Sequence, residues 1–226
     1  MIPSSAHTVT VMFGLYISHP EVSIDPDVPI PRWGLSERGR ARAGSAAHSG
    51  WARRLGRIVS SDETKALETA AILAAASGVT VEVLENTGEN DRSATGFLPP
   101  AEFEAAADSF FAQPAVSFRG WETADDAQAR IVRAVTAVLD AHDPKVPIAF
   151  VGHGGVGTLL YCHLSGVPIS RVHDQGPGGG GNLFAFPLGP VPASVNDPGD
   201  MVFSLARHRP VCKWTRIEDW QGWTDG

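Results

Sequence analysis

Apolar residues fall into two rhythms along this chain: short continuous runs, and stretches where they recur every three or four positions. Residues 9–17, VTVMFGLYI, form a β-branched and aromatic run typical of a strand buried on both faces. The run stops at Ser18-His19-Pro20. The stretch HPEVSIDPDVPIPRWG that follows cannot be a helix interior, because proline lacks an amide hydrogen and its ring clashes with the preceding turn. Leu35-Ser36-Glu37 opens a helix, with Ser36 as N-cap and Leu35 placed as a hydrophobic staple, and the Ala-rich pattern carries it to about Leu55. RIVSS, from Arg57, reads as a short strand. Ser61 or Asp62 caps the next helix, ETKALETAAILAAA, with Ala66, Leu67, Ala70 and Leu73 at helical spacing and Gly78 at its end. VTVEVL is a third strand.

Residues 85–121 have a different character. ENTGENDRSATGFLPP is polar and glycine-bearing, and AEFEAAADSFFA after it reads as a helix. The segment is expected to be an insertion over the site, since long loops in compact domains are usually functional or disordered. Thr123 with Asp126 resembles a capping box and opens a helix to about Ala141. PIAFV is another buried strand, ending in the turn GHGG, and a helix follows over 156–164. QGPGGGGN is a loop, read as a flexible connection rather than a phosphate loop. NLFAF and MVFSLA are strands. Trp214, Trp220 and Trp223 are expected to pack back on the domain. Residues 1–8 read as a loose leader, with Met12 an alternative start. Strands alternating with helices, with no internal repeat, predict a three-layer α/β/α sandwich with a mostly parallel sheet. The alternation runs through most of the chain, which reads as one domain over 1–226.

Composition narrows the partners. At 226 residues and 43% hydrophobic, the chain can bury one substantial core. With 18 Lys+Arg against 25 Asp+Glu, its net charge is −7 and no basic stripe suits nucleic acid. An acidic chain can still bind a phosphate, because the local field of a cleft decides that. No apolar stretch approaches a membrane span, and no basic segment with an apolar core marks a secretory signal, so neither is expected. Cys162 and Cys212 are too few for a disulfide framework and offer no metal spacing. A reduced cytoplasmic setting is expected, with no cofactor. Oligomeric state is open, a homodimer being one option.

Two histidines stand at equivalent places. His19 follows the first strand and His153 follows PIAFV. In a parallel α/β sheet the carboxyl ends of the strands face the ligand crevice, so both imidazoles can project into one site. A lone histidine is usually structural or exposed, and His7, His48, His142, His163, His173 and His208 are read that way. GHGG at 152–155 opens a helix whose free N–H groups and dipole favour an anion, so Gly154 is a candidate phosphate contact.

The ordered set of motifs resembles the histidine phosphatase superfamily, the phosphoglycerate mutase-like proteins. LSERGRARA resembles the segment after the family's first motif, SSDETKALETAAILA the segment that usually reads Ser-x-x-x-Arg-Ala-x-x-Thr-Ala, and VGHGGVGTLL the second histidine motif. The likeness covers roughly residues 9–165. It implies a phosphatase without a cofactor, acting on a small phosphomonoester. His19 would be the nucleophile that becomes phosphohistidine, His153 would contact the transferring phosphoryl group, and a carboxylic acid would protonate the leaving oxygen. A neutral imidazole is a competent nucleophile near pH 7. Phosphoryl transfer otherwise needs mainly positioning and positive charge. The acid would be Glu89, with Glu85 and Asp91 as alternatives in the same loop.

The chain departs from the pattern at two cations. The first motif, usually Arg-His-Gly, is Ser18-His19-Pro20, and the second arginine falls at Lys65, which supplies charge without a bidentate fork. The expected phosphate contacts are therefore Ser18, Lys65, Arg92 and Gly154, with Arg92 brought in from its loop. The alternative for Arg92 is a salt bridge to Asp91 or exposure to solvent. A mutase is less favoured than a phosphatase. A second class of function is a catalytically degenerate member that binds an anion or a partner. A metal hydrolase ranks last, for lack of any close His/Asp ligand spacing.

Overall fold

The structure, a computed structural model, describes residues 12–189, 191–194, 197–202 and 209–222. Its strands are β1 (Met12–Ser18), β2 (Arg57–Ser60), β3 (Val81–Val83), β4 (Ile148–Gly152), β5 (Asn182–Leu188), β6 (Val191–Ser194), β7 (Asp197–Val202) and β8 (Thr215–Arg216). Its α-helices are α1 (Glu37–Ala47), α2 (Gly50–Arg53), α3 (Thr64–Ser77), α4 (Pro100–Ala112), α5 (Ala124–Asp140) and α6 (Gly154–Ser165). Six strands form one sheet in the order β3-β2-β4-β1-β5-β8, and β6 pairs with β7 in a separate hairpin. β3, β2, β4 and β1 run parallel, while β5 and β8 are antiparallel to their neighbours.

Alternation of side chains along each strand splits the core in two. Phe13, Leu15 and Ile17 of β1 point to the face covered by α1, α2 and α3, with Ile58, Ala149 and Val151 beside them. Tyr16 of β1 joins Phe150, Phe184 and Phe186 on the other face, under α4, α5 and α6. The sandwich therefore has three layers. Trp214 and Trp220 pack back as expected: Trp214 lies edge-on to Tyr16 and Phe184, and Trp220 to Phe13 and Trp51. Trp223, the leader at 1–8 and most of MVFSLA lie outside the described residues.

Several sequence readings change in detail. The helix expected to reach Leu55 breaks at His48-Ser49, where Ser49 accepts a hydrogen bond from the Ala52 amide and starts the short α2. Neither Ser61 nor Asp62 caps α3. Glu63 occupies the N-cap position without a side-chain cap bond, and the Ser61 hydroxyl lies 2.7 Å from His153 Nε2 while accepting the Glu63 amide at 3.4 Å. Thr123 does cap α5, accepting from the Asp126 amide at 3.1 Å. The glycine run 178–181 leads into β5 rather than a helix. All four residues have positive φ, and the Arg42 guanidinium donates to the carbonyls of Gly180 and Gly181 at 2.8 Å each. The run is thus a pinned turn rather than a free connection. A Cβ at Gly180 would collide with the His19 carbonyl, so glycine is required where this turn crosses the end of β1.

Candidate active site

Sheet register builds the site. Ser18 of β1 lies opposite Gly152 of β4, so the next residue of each strand emerges at the same sheet edge, and the His19 amide donates to the Gly152 carbonyl at 2.9 Å. The two rings meet edge to face with centroids 5.3 Å apart. Tyr16, one strand period before Ser18, fixes the second histidine. Its hydroxyl accepts from the His153 amide at 3.0 Å and donates to the His153 carbonyl at 3.1 Å.

His19 Nδ1 lies 2.8 Å from the Pro20 carbonyl. A carbonyl can only accept, so Nδ1 carries the hydrogen and Nε2 the free lone pair. Burial, then the neighbouring His153 and Lys65, push its pKa down to about 3, which keeps the ring neutral at neutral pH. His19 lines a cavity of about 700 Å³ whose far wall holds Phe103, Phe110, Phe111 and Trp121.

His153 is fully buried, and the cavity wall does not include it. Its Nε2 lies 2.7 Å from the Ser61 hydroxyl and 3.3 Å from Glu63 Oε1, while Nδ1 has no hydrogen-bond partner. Burial lowers its pKa, partly opposed by the Glu63 and Glu89 carboxylates. Glu63 is the residue that sequence reasoning missed. It ion-pairs with Lys65 and accepts the Glu89 amide at 2.9 Å. Burial works to raise its pKa, but His153 and Lys65 outweigh burial and hold it at about 2. No sequence signal marks Glu63, which occupies an unremarkable position two residues before Lys65.

Lys65 is itself buried, spent on Glu63 and on the Ile30 carbonyl at 2.9 Å, and does not line the cavity. Ser18 is also buried beneath the cavity floor. Its hydroxyl donates to Gln175 Oε1 at 2.5 Å and accepts from the Asn182 amide at 3.1 Å. Arg92 and Gly154 do line the cavity. Arg92 makes no ion pair with Asp91 among the described residues. Its guanidinium sits 5.0 Å from the centre of the Phe103 ring. Of the three loop carboxylates, Glu89 shares the cavity with His19, whereas Glu85 and Asp91 are exposed outside it. Glu89 accepts from the Gly155 amide at 3.0 Å and the Val156 amide at 2.9 Å, so it closes the N-terminus of α6. Burial would raise its pKa, but His153, Arg92 and these two amides hold it below the usual carboxylate range. Asp174 and Gln175, beside Gly154, complete the near wall, and burial pushes the Asp174 carboxyl up. Among the described residues no group of three or more His, Cys, Asp or Glu side chains is placed to hold a metal ion. No helix of the described residues is long and apolar enough to cross a membrane.

Comparison with solved structures finds this fold repeatedly. The mycobacterial glucosyl-3-phosphoglycerate phosphatase in complex with inorganic phosphate is similar at 23% identity, covering 92% of this chain and 99% of that one with a TM-score of 0.70. The same phosphatase complexed with VO3 matches at 24% identity over 77% of this chain and 90% of that one, TM-score 0.63. Bacillus stearothermophilus YhfR matches at 20% identity over 87% of this chain and all of its own, TM-score 0.65. Comparison with curated protein sequences returns no match. A family profile described as histidine phosphatase superfamily (branch 1) matches residues 23–178, a span that begins just past His19 and includes His153. That span exceeds half of the sequence and agrees with the fold, so the chain belongs to the histidine phosphatase superfamily, branch 1.

Proposed function

We propose that this chain is a phosphatase that hydrolyses a small phosphomonoester through a phosphohistidine at His19. One observation carries the reading: His19 is a neutral imidazole, locked with its Nε2 lone pair free, in the wall of a cavity large enough for a phosphoester. The similar structures that hold phosphate and VO3 support an anion in this fold.

In the first step Nε2 attacks phosphorus and the bond to the ester oxygen breaks. A proton passes to that oxygen, and the product alcohol leaves. Water then attacks phosphorus, the N–P bond breaks with its electrons returning to Nε2, and orthophosphate departs. Glu89, which lines the cavity with His19, is the carboxyl we assign to both steps. In the free protein it is ionised, and a phosphoryl dianion arriving beside it raises its proton affinity, so ester and proton enter together. His153 then acts from below. It backs His19 and, through Ser61 and Glu63, fixes the polar floor.

The test is hydrolysis of p-nitrophenyl phosphate, with trapping of phosphorylated enzyme by an alkaline detergent quench, under which phosphohistidine survives. His19→Ala is expected to lose several orders of magnitude in rate, because covalent catalysis disappears. A mutant that retains full rate, or an active wild type that forms no acid-labile phosphoenzyme, would sink the reading. A second reading rests on a specific observation: Glu89 fills the helix end, and Glu63 consumes Lys65, so positive charge at the site is scarce. A degenerate member that binds an anion or a partner would bind vanadate yet show no turnover above background.

A further inference from the structure

We propose that Gln175 presents the hydrogen-bond donor that receives the phosphoryl oxygens beside His19, in place of the cation missing at Ser18. The inference rests on the phosphatase reading and identifies how the site recognises a phosphate.

The Gln175 amide is oriented by two donors. Ser18 Oγ lies 2.5 Å and Asn182 Nδ2 3.1 Å from the same atom, Gln175 Oε1. Asn182 cannot be turned over, because its Nδ2 also lies 3.3 Å from the Gly180 carbonyl and an oxygen there would face another oxygen. Gln175 Oε1 must therefore face Ser18 and Asn182, and Nε2 must face away from them. That nitrogen sits directly over Gly154, where a Cβ would collide with it. Gln175, Gly154 and His19 all line the same cavity, and among the described residues Nε2 donates to no acceptor.

A second donor points the same way. Asn90 lines this cavity, is 7% exposed, and its Nδ2 has no hydrogen-bond partner. A buried donor left unpaired is unfavourable, and an acceptor brought to it would relieve that cost. Two of the cations nearby are committed elsewhere: Lys65 pairs with Glu63, and Arg171 with Glu104 and Asp108. Arg92 lies at the cavity wall against Phe103, so the cavity sets a neutral amide donor of Gln175 beside a single uncommitted guanidinium among the described residues. Ser18 is short enough to leave room for Gln175 and holds its oxygen. Ser18 is then a positioning residue and Gln175 a binding residue.

The discriminating variant is Gln175→Glu. It keeps an oxygen for Ser18 and Asn182, so a purely structural role survives; it removes the donor and adds a negative charge, and Gln175→Ala separates the two effects. Orthovanadate affinity by calorimetry is expected to fall about ten- to hundred-fold, with KM for p-nitrophenyl phosphate rising in parallel and the melting temperature unchanged. Gln175→Ala, which adds no charge, should lose about ten-fold. Ser18→Ala should raise KM a few-fold with little change in kcat, because the amide loses one of its two anchors. Vanadate affinity within two-fold of wild type in both Gln175 variants overturns the proposal while the phosphatase reading stands on His19→Ala. A wild type that neither binds vanadate nor turns over overturns both.

Discussion

At the scale of single residues, the two cations predicted to hold the phosphate have different fates. Lys65 lies under the site in a buried pair, and Arg92 lies at the cavity wall on an aromatic ring. Lys65→Met should therefore act on stability. It leaves the Glu63 carboxylate buried beside His153 without its main partner, a loss of about 3–5 kcal/mol in urea denaturation. Arg92→Ala should act on binding. A charge-assisted hydrogen bond contributes about 1.5–3 kcal/mol, and leaving the Phe103 ring costs about 0.5–1 kcal/mol of that. Vanadate affinity should thus weaken by about 1–2 kcal/mol, with little change in melting temperature. A stable Lys65→Met protein, or an unstable Arg92→Ala protein, would contradict this division.

At the scale of elements, the N-terminus of α6 is contested. Its first amides are what an incoming anion would use, and Glu89 occupies those of Gly155 and Val156. Glu89→Ala should cost about 0.5–2 kcal/mol of stability, the range for losing an N-terminal cap. It should also tighten orthophosphate binding, since the freed amides become available, while ester turnover falls because the proton donor is gone. Calorimetry with orthophosphate checks the first effect independently of turnover. Unchanged or weaker binding would mean the amides are out of an anion's reach. α4, the helix within the segment read as an insertion, brings Phe103, Phe110 and Phe111 to the cavity wall.

At the scale of the molecule, the site makes the fold sensitive to acid. His19 is held near 3 when folded, against about 6.5 when unfolded. The unfolded chain therefore takes up a proton first, and stability is full above about pH 6.5 and is lost as pH falls toward 3. His153 shifts the same way. Glu63, depressed to about 2, adds stability that is present above its ordinary range, near 4.5, and lost below it. The urea midpoint should be highest at or above about pH 6.5 and decline continuously through pH 4. His19→Gln should flatten the portion between 6.5 and 4.5. A midpoint that rises between pH 7 and 5 would show that the histidines are not held neutral by burial.

Local pattern decided more of this protein than its divergent motifs suggest. The buried run through Ile17, the PIAFV strand and the capped helices are written in apolar spacing and cap residues, which act over a few residues and need no distant partner. The same spacing put His19 and His153 each one residue past a strand, and sheet register then brought their rings together. What the sequence could not carry was how polar groups pair across the chain. Glu63 against Lys65 and His153, Glu89 on the amides of α6, and Ser18 on Gln175 join residues from 2 to 157 positions apart. Those choices follow from burial. A charge or amide removed from water must find whichever partner the packed fold places within 3 Å or so, and only the tertiary structure sets which partner that is.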